Sequence, residues 1–166
     1  MASLVDFQIR RLCRDKGLVE PFDPDLLNPA SIDVTLGKTI LVETRGGEFE
    51  PISIETNDYF MAPGAFVLAH TAEFVRVPNG LEAVFQLKSS RGREGYEHSL
   101  AGYIDPGFHG RVTLELSNLR RYKHLPLRAG MKIGQLRFAT LEALPLRPYS
   151  VTGRYHGDLG VTQSKG

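Results

Sequence analysis

The stretch from Lys88 to Asn118, KSSRGREGYEHSLAGYIDPGFHGRVTLELSN, crowds functional side chains into a part of the chain that also carries strand and turn signals. Ser89 and Arg93 stand four residues apart. If Ser89 and Ser90 cap a short helical turn, the Ser89 hydroxyl and the Arg93 guanidinium share one face. With Lys88 just ahead and free backbone N–H groups at the turn, the arrangement makes an anion pocket suited to phosphates; a solvated basic turn is the plainer alternative. Farther on, Val112, Leu114 and Leu116 alternate with Thr113, Glu115 and Ser117. A strand with that pattern sends the apolar set to the core and leaves Glu115 on the opposite face. There it is a solvated surface carboxylate, unless a neighbouring subunit or a tail covers the face. Under such cover, desolvation raises its pKa toward the range of a general base. Asp105 opens the tight turn Asp105-Pro106-Gly107. It either caps that turn with its side chain or holds a carboxylate at a cleft, able to hydrogen-bond a sugar hydroxyl or orient a water.

Other chemistries lack their residues. The five histidines, His70, His98, His109, His124 and His156, form no HxH or HExxH pattern, and Cys13 is the only cysteine. One cysteine excludes an internal disulfide framework and a Cys-rich zinc site. Cys13 is expected to be a small packing residue in a helix. There is no GxSxG element and no P-loop. Twenty Lys and Arg against 19 Asp and Glu leave a formal charge of +1, which gives no electrostatic case for duplex DNA or an anionic membrane. No apolar run reaches the roughly 18 residues of a membrane span. The N-terminal MASLVDFQIRRLCRDKG breaks its apolar residues with charges, unlike a signal peptide. The expectation is a soluble, cytoplasmic protein with neither a nucleic-acid nor a membrane partner.

The elements that must hold these residues are mostly strands. Glycine and proline together make up roughly a sixth of the chain, against about an eighth in average usage, which argues against a helical bundle. Leu4 to Lys16 carries Leu4, Phe7, Ile9 and Leu12 near helical spacing, with Ser3 as N-cap and Gly17 as the stop, so a short amphipathic helix is predicted. A proline-rich arm follows, then strands at Ser31–Leu36 and Thr39–Thr44. Short β-like runs continue at Tyr59–Met61, Ala65–Ala69, Glu73–Val77, Leu81–Lys88, Gly102–Ile104, Arg111–Asn118, Met131–Phe138 and Leu144–Tyr149. Turn signals such as Pro63-Gly64 and Arg128-Ala129-Gly130 separate them. Many short strands at close spacing indicate a sandwich, jelly roll or distorted barrel. Residues 1–166 read as one domain. The glycine-rich end, SVTGRYHGDLGVTQSKG, has no apolar period and reads on composition as a frayed tail.

Several ordered motifs along nearly the whole chain resemble the dCTP deaminases, within the wider trimeric dUTPase superfamily. They are PASIDVTLG (Pro29 to Gly37), YFMAPGAFVLAHTAEFVRVP (Tyr59 to Pro78), LKSSRGREG (Leu87 to Gly95), AGYIDPGFHGRVTLELSN (Ala101 to Asn118), AGMKIGQLRF (Ala129 to Phe138) and RYHGDLGVTQSK (Arg154 to Lys165). The resemblance implies a mainly β, dUTPase-like distorted barrel or jelly roll with a short N-terminal helix. It also implies a homotrimer with active sites between subunits. Glu115 then matches the general base that activates water against C4 of cytosine, without zinc. Ser89 and the Ala101 backbone match groups that position the water and the exocyclic amine, and Arg93 matches the arginine of the SSxxR element, which also holds Ser90. Ile104 and Asp105 match the deoxyribose contacts. Lys88, Gln135, Arg154 and Tyr155 match triphosphate contacts, with Mg²⁺ riding on the triphosphate rather than on protein ligands. The segment 150–166 matches a mobile tail that closes over bound nucleotide, which replaces the frayed-tail reading for the liganded state. Departures from the family pattern are Asp158 and His156, where glutamine is usual, and Arg91, Gly92 and Glu94, where small or apolar residues are. Asp158 belongs to the substrate-binding set, and its charge repels a triphosphate unless Mg²⁺ or a basic neighbour compensates.

The leading expectation is hydrolytic deamination of dCTP to dUTP and ammonia, in pyrimidine deoxynucleotide metabolism. The first alternative is a bifunctional enzyme that also hydrolyses dUTP to dUMP and pyrophosphate, with Asp105 helping to place the second water. A plain dUTPase is the next: the two families align at Ile104-Asp105 and at Asn118, thirteen residues after Asp105. In dUTPases the place of Glu115 is normally apolar, so Glu115 favours deamination. A non-catalytic nucleotide-binding module is the last, and it has no use for a base.

Overall fold

The computed structural model describes residues 2–166. Two five-stranded antiparallel sheets dominate. The first runs in the order Tyr96–Glu97, Thr113–Asn118, Phe66–His70, Thr39–Glu43, Phe49–Ser53. The second runs Tyr103–Ile104, Leu81–Leu87, Lys132–Thr140, Ser31–Thr35, Leu27–Asn28. Smaller sheets join Val19–Glu20, Phe74–Arg76 and His109–Gly110, and Leu125–Leu127 with Tyr59–Met61. The fold is mainly β, as expected, but the sheets stay open, so the barrel does not close. Apolar side chains of both large sheets meet in one core, including Ile32, Phe85, Leu136 and Phe138 from the second and Val67, Leu114 and Leu116 from the first.

The predicted helix forms over Asp6–Lys16, with Ile9 and Cys13 buried on one face. Gly17 ends it in the left-handed region at φ 62°, its N–H donating to the Cys13 carbonyl at 3.1 Å. Ser3 is not the cap. The residues ahead of the helix are fastened to the last long strand instead: Leu4 N–H donates to Phe138 and Thr140 N–H to Ala2. Val5 therefore becomes the cap residue, and its N–H is taken by the Gln8 side chain at 3.0 Å.

Proline explains the other differences. The expected strand Leu144–Tyr149 is absent: Pro145 and Pro148 have no N–H for a ladder, and a helical turn starts at Tyr149. Conversely, Phe49–Ser53 pairs as a strand despite Pro51 at its centre. It lies at the edge of its sheet, where one missing donor is tolerated.

Asn118 ends the strand that carries Glu115. Its side-chain amide donates to the carbonyls of Met61 and Lys123, both at 2.9 Å, and its oxygen accepts from Arg120 N–H at 2.8 Å. These bonds tie the 119–124 loop to two sheets from a fully buried position. Asn118→Ala leaves those partners unmatched in the interior and is expected to lower stability by about 2–3 kcal/mol. Urea denaturation checks this; a midpoint within error of wild type would remove Asn118 as the pin.

Candidate active site

Strand Thr113–Asn118 alternates as predicted. Leu114 and Leu116 are buried in the core, while Thr113, Glu115 and Ser117 take the other face half-buried. That face is covered. Glu115 opens into a cavity of about 520 Å³. Phe49, Phe66 and Leu68 of the same sheet make its apolar side, and Thr162, Gln163 and Ser164 of the tail lie across it. Burial pushes the Glu115 carboxyl above its ordinary value, outweighing the opposing effect of its own backbone N–H. Among the described residues no cation pairs with it.

Ala101, Ile104 and Asp105 form another wall of the cavity. Ser99 and Leu100 reach Ala101 through two successive left-handed conformations, both at φ 56°. For residues with a Cβ each costs about 1–2 kcal/mol. Gly102 then lies so close to the main chain of Phe85 that a side chain there would strike the Phe85 carbonyl, which fixes the loop on the second sheet. Ile104 pairs with Ala83. The turn at Asp105 is closed by main chain, Phe108 N–H donating to the Asp105 carbonyl at 3.1 Å. The Asp105 carboxylate thus lines the cavity rather than capping the turn.

The tail is seated by main-chain contacts. Gly157 N–H donates to the His109 carbonyl at 2.6 Å and Arg111 N–H to the Asp158 carbonyl at 2.8 Å. Gly110 makes the approach possible, since a Cβ there would sit 2.9 Å from the Asp158 oxygen. Tyr155 N–H donates to the Tyr149 hydroxyl at 3.1 Å, and Thr162 meets Thr113. Tyr155 and Asp158 therefore line the cavity. The basic neighbour that Asp158 requires is Lys165, 3.0 Å away.

Charge is unevenly distributed. The cavity wall carries three carboxylates, Asp105, Glu115 and Asp158, against Arg111. The Arg111 guanidinium is already bound to the carbonyls of Thr71 and Ala72. Such a space suits an uncharged polar ring and repels an anion. Next to it a second groove of about 390 Å³ shares Asp105, Tyr149 and Tyr155 and is lined by Arg147 and Arg154.

The remaining sequence candidates lie elsewhere. Lys88, Ser89, Ser90, Arg93 and Gln135 do not line the cavity. The helix expected near Ser89 forms over Ser89–Glu94, so Ser89 and Arg93 stand one turn apart. Lys88 occupies the cap position and makes no side-chain cap, which corrects the expectation that the serines cap the turn. The Lys88 ammonium is held by both oxygens of buried Asp33 at 2.7 Å, and Gln135 accepts from Ser31 at 2.8 Å. Lys88, Ser89, Ser90, Arg93 and Gln135 thus stand apart from the Glu115 cavity within one chain. Sequence reasoning missed Arg111, Tyr149 and Lys165. Lys165 stood inside a recognised motif but carried no spacing signal of its own. Among the described residues, no group of three or more His, Cys, Asp and Glu side chains gathers to hold a metal ion, and no helix is long and apolar enough to cross a membrane.

The chain matches the family model described as dCTP deaminase-like over residues 3–141. A relative from Clavibacter michiganensis subsp. michiganensis named "dCTP deaminase, dUMP-forming" is 38% identical over 175 residues, spanning 89% of this chain and 81% of that protein. One of the same name from Acidothermus cellulolyticus is 39% identical over 191 residues, spanning 98% and 94%. Among solved structures, the 2'-deoxycytidine 5'-triphosphate deaminase from Agrobacterium tumefaciens superposes with a TM-score of 0.70 at 22% identity. The match covers 86% of this chain and 49% of that one, so the chain spans about half its length, and the likeness is one of fold. The cavity, its carboxylate strand and the 139 residues matched by the family model agree: this chain belongs to the dCTP deaminase-like family.

Proposed function

We propose that the chain hydrolyses dCTP to dUMP, with loss of ammonia and pyrophosphate; relatives of the chain carry the name "dCTP deaminase, dUMP-forming". The observation that carries the reading is Glu115, a half-buried carboxylate with a raised pKa and no cationic partner among the described residues, facing an acidic cavity. The cytosine ring and deoxyribose occupy that cavity, and the triphosphate with its Mg²⁺ leads into the groove of Arg147 and Arg154. Glu115 takes a proton from water as the oxygen adds to C4. It then returns the proton to the exocyclic amine, and the C4–N bond breaks to release ammonia. The donor and acceptor groups that hold the tetrahedral centre are the Ala101 backbone and Ser89. In the second step a water placed by Asp105 attacks the α-phosphorus of dUTP, and pyrophosphate leaves. Ile104 and Asp105 hold the sugar.

Ser89 and Arg93 lie outside the cavity of their own chain. In this reading a second copy in a cyclic homotrimer brings them, with Lys88, Ser90 and Gln135, against Glu115. The tail from 150 to 166 opens and closes with nucleotide.

Product analysis with dCTP and Mg²⁺ is expected to yield ammonia and dUMP. Release of dUTP, turnover of dUTP without release of ammonia from dCTP, or binding without turnover each replaces the proposal with a different one.

Glu115→Gln is expected to lower kcat by at least about 100-fold while calorimetry still records dCTP binding. Because the base works as the carboxylate, wild-type activity falls as pH drops through its pKa. Burial places that limb above the ordinary glutamate value of 4.5. The same shift has the opposite sign for stability. Folded Glu115 keeps its proton where the unfolded chain has lost it, so stability declines as pH rises through that window. Glu115→Gln is therefore expected to raise the thermal midpoint at pH 8 and leave it unchanged at pH 4. An equal shift at both values removes ionisation as the cause.

Mixed assembly tests the shared site. Glu115→Gln and Ser89→Ala proteins, each inactive alone, are expected to regain roughly a quarter of wild-type activity after unfolding and co-refolding in equal amounts. No recovery would place both residues in one chain's site.

A further inference from the structure

The carboxylate of Glu115 shares its face of the first sheet with an apolar strip. Leu68 is paired directly opposite Glu115, and Phe66 opposite Ser117. Side chains paired in this way stand about 5 Å apart at their Cβ atoms. Leu68 is 7% exposed and yet lies outside the central core. Phe49, on the next strand but one, meets Phe66 edge to face, with ring centres 6.2 Å apart and planes at 67°. On the Glu115 strand itself the Thr113 hydroxyl is already engaged, accepting Thr162 N–H at 3.3 Å. The cavity wall nearest the carboxylate across the sheet is therefore hydrocarbon.

A cytosine ring has two unlike edges. N3 and O2 make one edge polar, while C5 and C6 carry only C–H on the other. N1, which bears the sugar, lies across the ring from C4. With C4 at Glu115 and the deoxyribose toward Ile104 and Asp105, the two edges face the remaining walls. One of these is the strip of Phe49, Phe66 and Leu68, and another includes Ala101. Setting N3 and O2 against phenylalanine and leucine would bury them without hydrogen bonds. The C5–C6 edge therefore takes the strip. C5 is bonded to C4, so a substituent on C5 stands beside the exocyclic amine, next to the side chain paired with Glu115.

We infer that the site also deaminates 5-methylcytosine deoxynucleotides, with the methyl group seated against Leu68 and Phe66. The inference rests on the nucleotide reading above and widens its substrate class. The chemistry is that of dCTP. Water adds to C4; one of its protons passes through Glu115 to the amine and the other ends on N3. The C4–N bond breaks, ammonia leaves, and the ring that remains is thymine. A second water at the α-phosphorus then gives thymidine 5'-monophosphate and pyrophosphate. No oxidant, reductant or further co-reactant enters. The methyl group removes from water a part of the strip that unsubstituted cytosine leaves uncovered.

Calorimetry in the Glu115→Gln background, where neither nucleotide is consumed, gives the first measure. 5-Methyl-dCTP is expected to bind about tenfold more tightly than dCTP, the usual effect of one added carbon in an apolar pocket. 5-Hydroxymethyl-dCTP is expected to lose that gain, because its hydroxyl finds no partner on the strip. Leu68→Thr is expected to bring the ratio of the two dissociation constants to about one. Phe66→Thr, at a half-buried position, asks the same question should Leu68→Thr fail to fold. Wild-type protein with Mg²⁺ is expected to release ammonia and thymidine 5'-monophosphate from 5-methyl-dCTP. Turnover of dCTP with no ammonia from 5-methyl-dCTP overturns the inference and leaves the nucleotide reading standing. So does binding of 5-methyl-dCTP no tighter than that of dCTP, or a preference that survives both substitutions. Neither binding nor turnover of either nucleotide overturns the nucleotide reading itself.

Discussion

The burial of one unpaired carboxylate constrains the rest of this molecule. Glu115 sits on a strand whose opposite face is core, held between Tyr96–Glu97 and Phe66–His70. A slip of one residue in that pairing would exchange Glu115 for Leu114 or Leu116 and put a charge into the apolar interior. The core therefore enforces the position of this carboxylate: Leu114 and Leu116 hold Glu115 where it is. Withholding a cation keeps the carboxylate basic, and the fold bears the price in stability.

The same economy of positive charge explains the division of the site. A cation near Glu115 would stabilise its ionised form and weaken it as a base. Arg111, which does reach the cavity, has its guanidinium committed to the carbonyls of Thr71 and Ala72. The adjoining groove is lined by Arg147 and Arg154. Lys88 and Arg93 lie away from the cavity, with Lys88 paired to Asp33. One chain thus keeps its unpaired carboxylate and the groove arginines in separate compartments.

Much of this was readable from local pattern. The alternation from Val112 to Asn118 placed Glu115 opposite the core, and Gly17 marked the end of the helix, because both signals reside in neighbouring residues. Ser3 failed as a cap because a partner more than 130 residues away recruits the N-terminal segment into pairing. The strand at Phe49–Ser53 was hidden by Pro51, whose tolerance depends on being at a sheet edge, a property of the assembled sheet. The run Leu144–Tyr149 had strand-like residues but two prolines with no N–H to give a ladder. Asp158 stood out as a charge without a visible partner, and the partner, Lys165, emerges only when the tail folds back on itself.

Pro51 also bears on how copies of the chain can meet. An exposed edge strand is a template for backbone pairing with another molecule, and a proline at its centre spoils that template. Phe49–Ser53 is such an edge, and Phe49 from the same strand lines the cavity. Copies crowded together are thereby steered away from continuous sheets that grow into fibres. The proline that obscured the strand in the sequence thus protects that edge of the sheet from aggregation.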